Sequence, residues 1–541
     1  MFGRRLPLVV GAALVALALA APAATAHGST DRLGAGHAFL VNYQRTHGYL
    51  PIGNDFAAYE RNVTARYQRW QHQHGVAPAA PAAPTGMQDP VATVNVEGQK
   101  DDRLAPPDPT GAAGPSSYIQ FINDDLGIYT RSGTLIKSVG TAAFAAPGGS
   151  DTDYSDPQIL FDPRTQRFYY LIIHTTDDTF AWGFSKNNNP QNPATDFCDY
   201  TADFGYGPDL PDYPKLGQSR DFLLIGANIY AVEAYVGSDI DWITKPPSAH
   251  PFSTCPAPSK FKQGQDVAIL NADGATFASD PNPAQQMDPS GTGWVVAVPD
   301  ETNSGATGNF LTIFPVTKNP DGTANIPNVG TQVDVSTFAP PPPSAQNGSN
   351  YPIDTLDGRL THAVSANDPA HGNAVAVWTG HTIQGGAGAE YRWYEIDVAN
   401  ATLFQSGDIT DPNLFVFNGG IAPDRLVKSK TVRKFGSNAV IGFTTSSVTT
   451  FPAAEMVSKI GSNPVSAFVM VKLSVGPDNG FDCVELQRCR WGDYAGAVSD
   501  PGANPNAATG QVWLTNMISN GTSIPNPLAP TWSTEIWAAT P

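Results

Sequence analysis

Over most of its length the chain alternates short polar turns with short apolar runs. A turn rich in Asp, Pro, Gly or Asn precedes a strand-like run of aromatic and β-branched residues. The runs are SSYIQFIN from 116, QRFYYLII from 166, RDFLLIGANIY from 220, TGWVVAVP from 292, GNAVAVWTG from 372, SNAVIGFTT from 437 and GQVWLTNM from 510. Taken at Tyr118, Phe168, Phe222, Trp294, Ala374, Ala439 and Trp513, they are spaced by 50, 54, 72, 80, 65 and 74 residues. Seven such units predict the antiparallel blades of an all-β β-propeller; six blades would follow if one anchor were miscounted. A two-sheet sandwich competes, but about 450 residues is large for one sandwich.

The pattern changes towards the N-terminus. After a cap at Asn54 or Asp55, the residues Phe56, Tyr59, Val63, Tyr67 and Trp70 recur every three to four positions. That spacing predicts a helix within an N-terminal extension, 27–75. Val76 to Pro84 (VAPAAPAAP) reads as a stiff spacer inside a linker, 76–91, before a main domain at 92–541. At the start, Arg4 and Arg5 precede an apolar run from Leu6 to Ala21 and the small residues Ala24-Thr25-Ala26. This predicts a signal peptide, 1–26, cleaved after Ala26, and a secreted protein with no membrane span in its mature form.

Composition sharpens the all-β reading. The 541 residues include 51 Gly, 48 Pro and nine Glu against 40 Asp. Asp favours turns and caps, whereas Glu favours helices. The net charge of -18 argues against nucleic acid and anionic membrane, which reward clustered Lys and Arg. Export makes disulfides the expected fate of the four cysteines. Cys483 and Cys489 are close enough to close a small loop, which would leave Cys198 for Cys255; three pairings are open from sequence.

Candidate chemistry lies in a few clusters. In Arg490-Trp491-Gly492-Asp493-Tyr494, the two rings offer flat faces suited to sugars. Arg490 can grip a carboxylate, and Asp493 can act as acid, base or cation ligand. The same residues also suit a structural role, with Gly492 in a tight turn and Trp491 packed between blades. In Asp212-Tyr213-Pro214-Lys215, a phenol beside Lys215 or Asp212 can donate a proton. Alternatively, Asp212 and Lys215 pair while Pro214 fixes an extended entry to a strand. Arg359 with His362, and Arg392, are candidates for holding an anionic group. Asp156 and Asp162 frame a strand start, and such carboxylate pairs can hydrolyse glycosides. Asp-rich loops also suit calcium, at no located site and with no cofactor required. No nucleophile elbow, phosphate loop or HExxH motif occurs.

Four segments carry a resemblance. They are Pro106-Pro107-Asp108-Pro109-Thr110-Gly111 with Gly114-Pro115 and Tyr118; Asp156-Pro157 with Phe161-Asp162 and Arg167-Phe168; Asp212-Tyr213-Pro214-Lys215-Leu216-Gly217; and Arg490-Trp491-Gly492-Asp493-Tyr494 with Asp500-Pro501. Together they resemble a family of secreted bacterial β-propellers described as sialidase-like and mostly uncharacterised. The sialidase Asp-box is absent; the nearest stretch is Asp273-Gly274-Ala275-Thr276-Phe277. The resemblance implies an extracellular carbohydrate-active protein, glycan-binding and glycan-cleaving if it is an enzyme, with glycoside hydrolase or polysaccharide lyase as the activity. In that reading Trp491 and Tyr494 stack on sugar. Arg490, Lys215, Arg392, Arg359 and His362 orient it, and Asp493, Asp212 and Tyr213 transfer protons. The partner is then an extracellular glycan or a cell-surface component. The alternative is a non-catalytic extracellular scaffold, since fold does not fix function.

Overall fold

The computed structural model describes residues 88–541 except 101–104, 124, 146–153, 176, 232–233, 247–250, 267, 289, 301–306, 428–432, 503–508 and 522–531. The expected signal peptide, the helical extension and most of the linker lie outside the described residues.

Seven sheets, antiparallel apart from the two-residue strand Gln285–Gln286 that runs parallel to Leu360–Asp368, form the blades of a β-propeller. Numbered in chain order, their innermost strands are Thr110–Ala113, Tyr154–Asp162, Leu210–Gln218, Ala278–Pro283, Leu360–Asp368, Phe415–Val427 and Gly496–Ser499. Each inner strand packs against the next, and the seventh packs against the first, so the ring closes. Blade 7 takes strands from both chain ends: Val91–Glu97 is its outermost strand and pairs with Trp532–Thr540. This closure ties the beginning of the ring to its end and removes two free edges.

All seven sequence anchors lie in second strands, one per blade. A second strand has a hydrogen-bonded neighbour on each edge and another blade against each face. It therefore reads as a continuous apolar run. In Arg167–His174 every residue before His174 is buried. Outer strands read differently: Leu135–Gly140 is mostly exposed. Between blades, side chains from facing sheets interdigitate. Leu171, Phe180 and Trp182 of blade 2 share one core with Leu223, Ile225 and Ile243 of blade 3.

Both disulfides are formed in the pairing favoured by spacing. Cys198–Cys255 links the outer strand of blade 2 to the loop before the last strand of blade 3, and Cys483–Cys489 closes a short loop. Bridges of this kind belong to oxidising compartments. Among the described residues no helix is long and apolar enough to cross a membrane. Together these features fit an extracellular protein.

The inner strands share a local device. Their ladders skip a dipeptide at Asp156-Pro157, Tyr213-Pro214, Asp280-Pro281 and Asn418-Gly419. The first residue of each is left-handed, with φ of 60°, 55°, 52° and 46°. Asp108, before Pro109, has φ 50°, and Gly492 has φ 100°. Asp and Asn tolerate this region best, and a proline without an N–H is at home on an edge with no neighbouring strand. Each skipped dipeptide bends the strand entry towards the axis.

Candidate functional site

The bends deliver polar side chains from all seven blades to one end of the axis, where the inner strands begin. Asn123 of blade 1 donates through Nδ2 to Asp108 Oδ2 (2.8 Å), while its Oδ1 accepts the Asp156 N–H of blade 2 (2.9 Å). Asp108 Oδ1 accepts the backbone N–H of Asp493, before blade 7 (2.6 Å). Tyr494 donates its hydroxyl across to Asp156 (2.6 Å). Asn418 of blade 6 donates to the carbonyl of Gly492 (3.2 Å), and Asn228 of blade 3 donates to Asp280 of blade 4 (2.6 Å). From blade 3, Tyr213 and Lys215 donate to the carbonyls of Leu360 and Thr361 in blade 5 (3.0 and 3.1 Å).

Three of these side chains, Tyr213, Tyr494 and Lys215, pack directly on one another. The rings of Tyr213 and Tyr494 stack with centroids 5.2 Å apart. Lys215 Nζ sits over both, at 3.9 and 3.7 Å, and the Arg359 guanidinium lies 4.4 Å from the Tyr213 ring. Tyr213 is the costly member, since a bulky residue at φ 55° persists only when its surroundings hold it.

The protonation of this cluster departs from the ordinary. Burial pushes Lys215 well below the usual lysine range against the attraction of Asp493, and the nearby Arg359 acts in the same direction as burial. The two ring faces favour the ammonium; desolvation outweighs them. Burial raises Asp493, and it raises Asp280 to about 6 despite Arg359. Burial pushes Tyr213 and Tyr494 far up. Arg359 stays charged, because Asp357, which it grips at 2.8 and 3.0 Å, and Asp280 together outweigh its burial.

The expected site residues divide as follows. Asp493, Tyr494, Tyr213, Lys215, Arg359 and Arg490 come together at this hub, Arg490 through its ion pair with Asp493 (2.7 Å). All six are under a tenth exposed. Trp491 is fully buried; its Nε1 donates to Thr444 (3.0 Å) and its ring packs edge-on against Phe417, which leaves no face for a sugar. Asp212 lies across the ladder from Asn228, near Tyr230, and does not pair with Lys215. His362 has an enclosed Nε2, and burial with Lys215 nearby lowers its pKa to about 3. Arg392 is not at the hub: it grips Asp408 at 2.6 and 2.9 Å on the outer part of blade 5. Asp162 is held by Lys245 (2.7 Å) and Thr165, away from Asp156.

Asp108, Asn123, Asn228, Asp280, Asp357 and Asn418 complete the hub, and none was among the expected site residues. A signal for some of them exists. The dipeptides Asp108-Pro109, Asp156-Pro157, Tyr213-Pro214 and Asp280-Pro281 recur at blade entries. Asn123, Asn228 and Asn418 carry no such mark.

A second constellation lies at the other end of the inner strands, between blades 5 and 6. It is an open cleft of about 850 Å³, bordered by Asp368, His371, Trp393, Phe404, Asp408 and Lys459. The imidazole of His371 stacks on Phe404, centroids 3.9 Å apart, and hydrogen-bonds Asp368. Below them is Glu395, raised to about 9 by burial and by Asp368 beside it. Among the described residues, Asp368, His371 and Glu395 place one potential ligand atom each within 4.8 Å of the others. The other such group, Asp478 with Cys483 and Cys489, has both sulfurs in a disulfide and fits no metal.

No family model matches the chain, and no curated protein does. Solved structures do match. The hemagglutinin-neuraminidase of parainfluenza virus 5 is 8% identical, covering 73% of this chain and 93% of that one, with a TM-score of 0.34. The Dos1 propeller is 10% identical over 83% and 95%, with a TM-score of 0.34. An exo-β-1,3-galactanase from Phanerochaete chrysosporium is 10% identical over 70% and 94%, with a TM-score of 0.28. Likenesses of this size carry no argument about activity. The fold stands on the seven-sheet ring itself.

Proposed function

We propose that the protein is an extracellular glycan-binding β-propeller whose ligand face is the cleft between blades 5 and 6. The observation that carries this reading is the contrast in access. The hub side chains are buried and mostly bonded to one another, whereas the cleft has a rim, with His371, Ser406 and Asp408, that solvent reaches. Half-buried Phe404 supplies apolar ring surface, and Gln405, Ser406 and Asp408 supply hydrogen-bonding partners around it, while Trp393 and Lys459 form the buried floor. The motif resemblance to secreted bacterial sialidase-like propellers agrees with a carbohydrate ligand. On this reading those motifs mark the hub's architecture rather than a substrate pocket.

A second reading is glycan cleavage at the hub. It is favoured by the convergence there of carboxyl, phenol and amine groups with displaced protonation, which is a feature of catalytic sites. The two readings part on a glycan array run beside a reducing-sugar assay on environmental and host polysaccharides. Saturable binding without sugar release supports the binding reading. Release that is abolished in a folded Asp493→Asn variant supports the second. No binding tighter than millimolar and no release defeats both.

A further inference from the structure

The floor of the cleft contains an arrangement that sugar binding does not require. Asp368 ends the inner strand of blade 5 and caps the following turn, with Oδ1 accepting the Ala370 N–H (2.7 Å). The turn Pro369–His371 then brings the imidazole back over that carboxylate. Glu395 reaches the same point from the third strand of blade 5, Gly388–Asp397. The ligand atoms of the three residues lie within 4.8 Å of one another.

Their surroundings hold them in place. Phe404 stacks against His371 with the ring planes 12° apart. Gln405 donates to Glu395 Oε2 (2.6 Å), and Ser437 donates to Asp368 Oδ1 (3.3 Å). Glu395 is 0% exposed, its Oε1 is enclosed, and it shares a hydrogen bond with the Asp368 carboxyl, so the two carboxyls face each other at the point where an ion would sit. A divalent cation between the two carboxyls would take the place of the proton they share, as metal binding does at carboxylate ligands. Lys459 is the nearby cation, but its Nζ donates to the carbonyl of Gly461. His371 stands at the exposed rim, so an ion can enter from solvent.

We propose that Asp368, His371 and Glu395 form a binding site for a divalent transition-metal ion of the zinc class. One imidazole nitrogen and two carboxylate oxygens are a borderline donor set that suits zinc, and the remaining positions would face the cleft and take water. Calcium is the wrong size and hardness for three ligands that include an imidazole. Gln405 and Ser437 act as outer partners that orient the carboxylates. The site does not depend on glycan binding, because its readout is the metal alone.

The test is isothermal titration calorimetry of the full chain, stripped with EDTA and dialysed, against zinc chloride and, separately, calcium chloride. The expected result is one saturable zinc site of micromolar affinity or tighter, with calcium at least a hundredfold weaker. His371→Ala and Glu395→Gln should each weaken zinc at least tenfold. His371→Ala changes only the exposed rim, so it decides alone if Glu395→Gln does not fold. Zinc bound equally by parent and His371→Ala would place the ion on other histidines and overturn the proposal. Absence of saturable binding, or calcium bound as tightly as zinc, would overturn it too.

Discussion

At the axis, Asp, Arg, Tyr and Lys side chains from different blades are buried and satisfied largely by one another. At the flank, a buried floor of Asp368, Trp393 and Lys459 carries a rim of His371, Phe404 and Asp408 that solvent reaches. The residue types overlap, and the protonation of both regions is displaced from ordinary values. Convergence of titratable groups therefore does not by itself mark a ligand site in a propeller. Access separates the two regions. The hub's hydrogen bonds join residues of different blades, although Asp280 Oδ2 and Asn418 Oδ1 are buried with no hydrogen-bond partner. The flank leaves the polar groups of its rim, His371, Ser406 and Asp408, available.

The largest test of that contrast removes bulk. Trp491→Ala, in the packed wall beside the hub, should cost about 3–5 kcal/mol of unfolding free energy. Phe404→Ala, at the cleft rim, should cost less than about 1 kcal/mol. Guanidinium unfolding reads both, and similar losses would erase the distinction. Next in size, Arg490→Ala strips Asp493 of its ion-pair partner and should cost about 3 kcal/mol, because the cost of a buried unpaired carboxylate dominates. A loss below about 0.5 kcal/mol would mean that the hub is solvated.

A smaller effect depends on pH. Asp280 is raised from 3.8 to about 6. The folded carboxyl keeps its proton to higher pH than the unfolded one, so its contribution to stability falls as pH rises from 3.8 through about 6. Asp280→Asn has no such fall. The stability difference, variant minus parent, should therefore move upward between pH 4 and pH 7, on the order of 2 kcal/mol. A flat difference would show Asp280 ionised and solvated.

The sequence reading reached the architecture through one strand per blade. Second strands such as Phe222–Ala231 are covered on both faces, so their apolar runs survive any loop length between them. Inner strands are legible only as strand starts, at Asp156 and after Pro214, because the Asp-Pro and Tyr-Pro dipeptides interrupt any apolar run. In the structure they are bends within the ladder. The same bends gathered Tyr213, Lys215, Arg359, Arg490, Asp493 and Tyr494 from segments up to some 280 residues apart (213 to 494). Motif likeness marks Tyr213, Lys215, Arg490, Asp493 and Tyr494 as candidates, but neither their burial nor the place of Arg359 among them is legible, since local sequence says nothing of what covers a side chain. Arg392 was misplaced for a similar reason. Its strand pairing sets it opposite Asp408, and that register is a tertiary fact. The cleft went unread because Asp368, His371, Trp393 and Phe404 meet Lys459 only after blades 5 and 6 pack together.

The claim that the hub is structural and the flank receives ligand meets its most direct test in paired binding measurements. Asp493→Asn and Phe404→Ala, each verified as folded, would be titrated with the strongest glycan found on the array. The account predicts that Asp493→Asn binds within about twofold of the parent, while Phe404→Ala loses at least about tenfold, the value of one stacked aromatic ring. Loss of binding in Asp493→Asn with Phe404→Ala unaffected would contradict it.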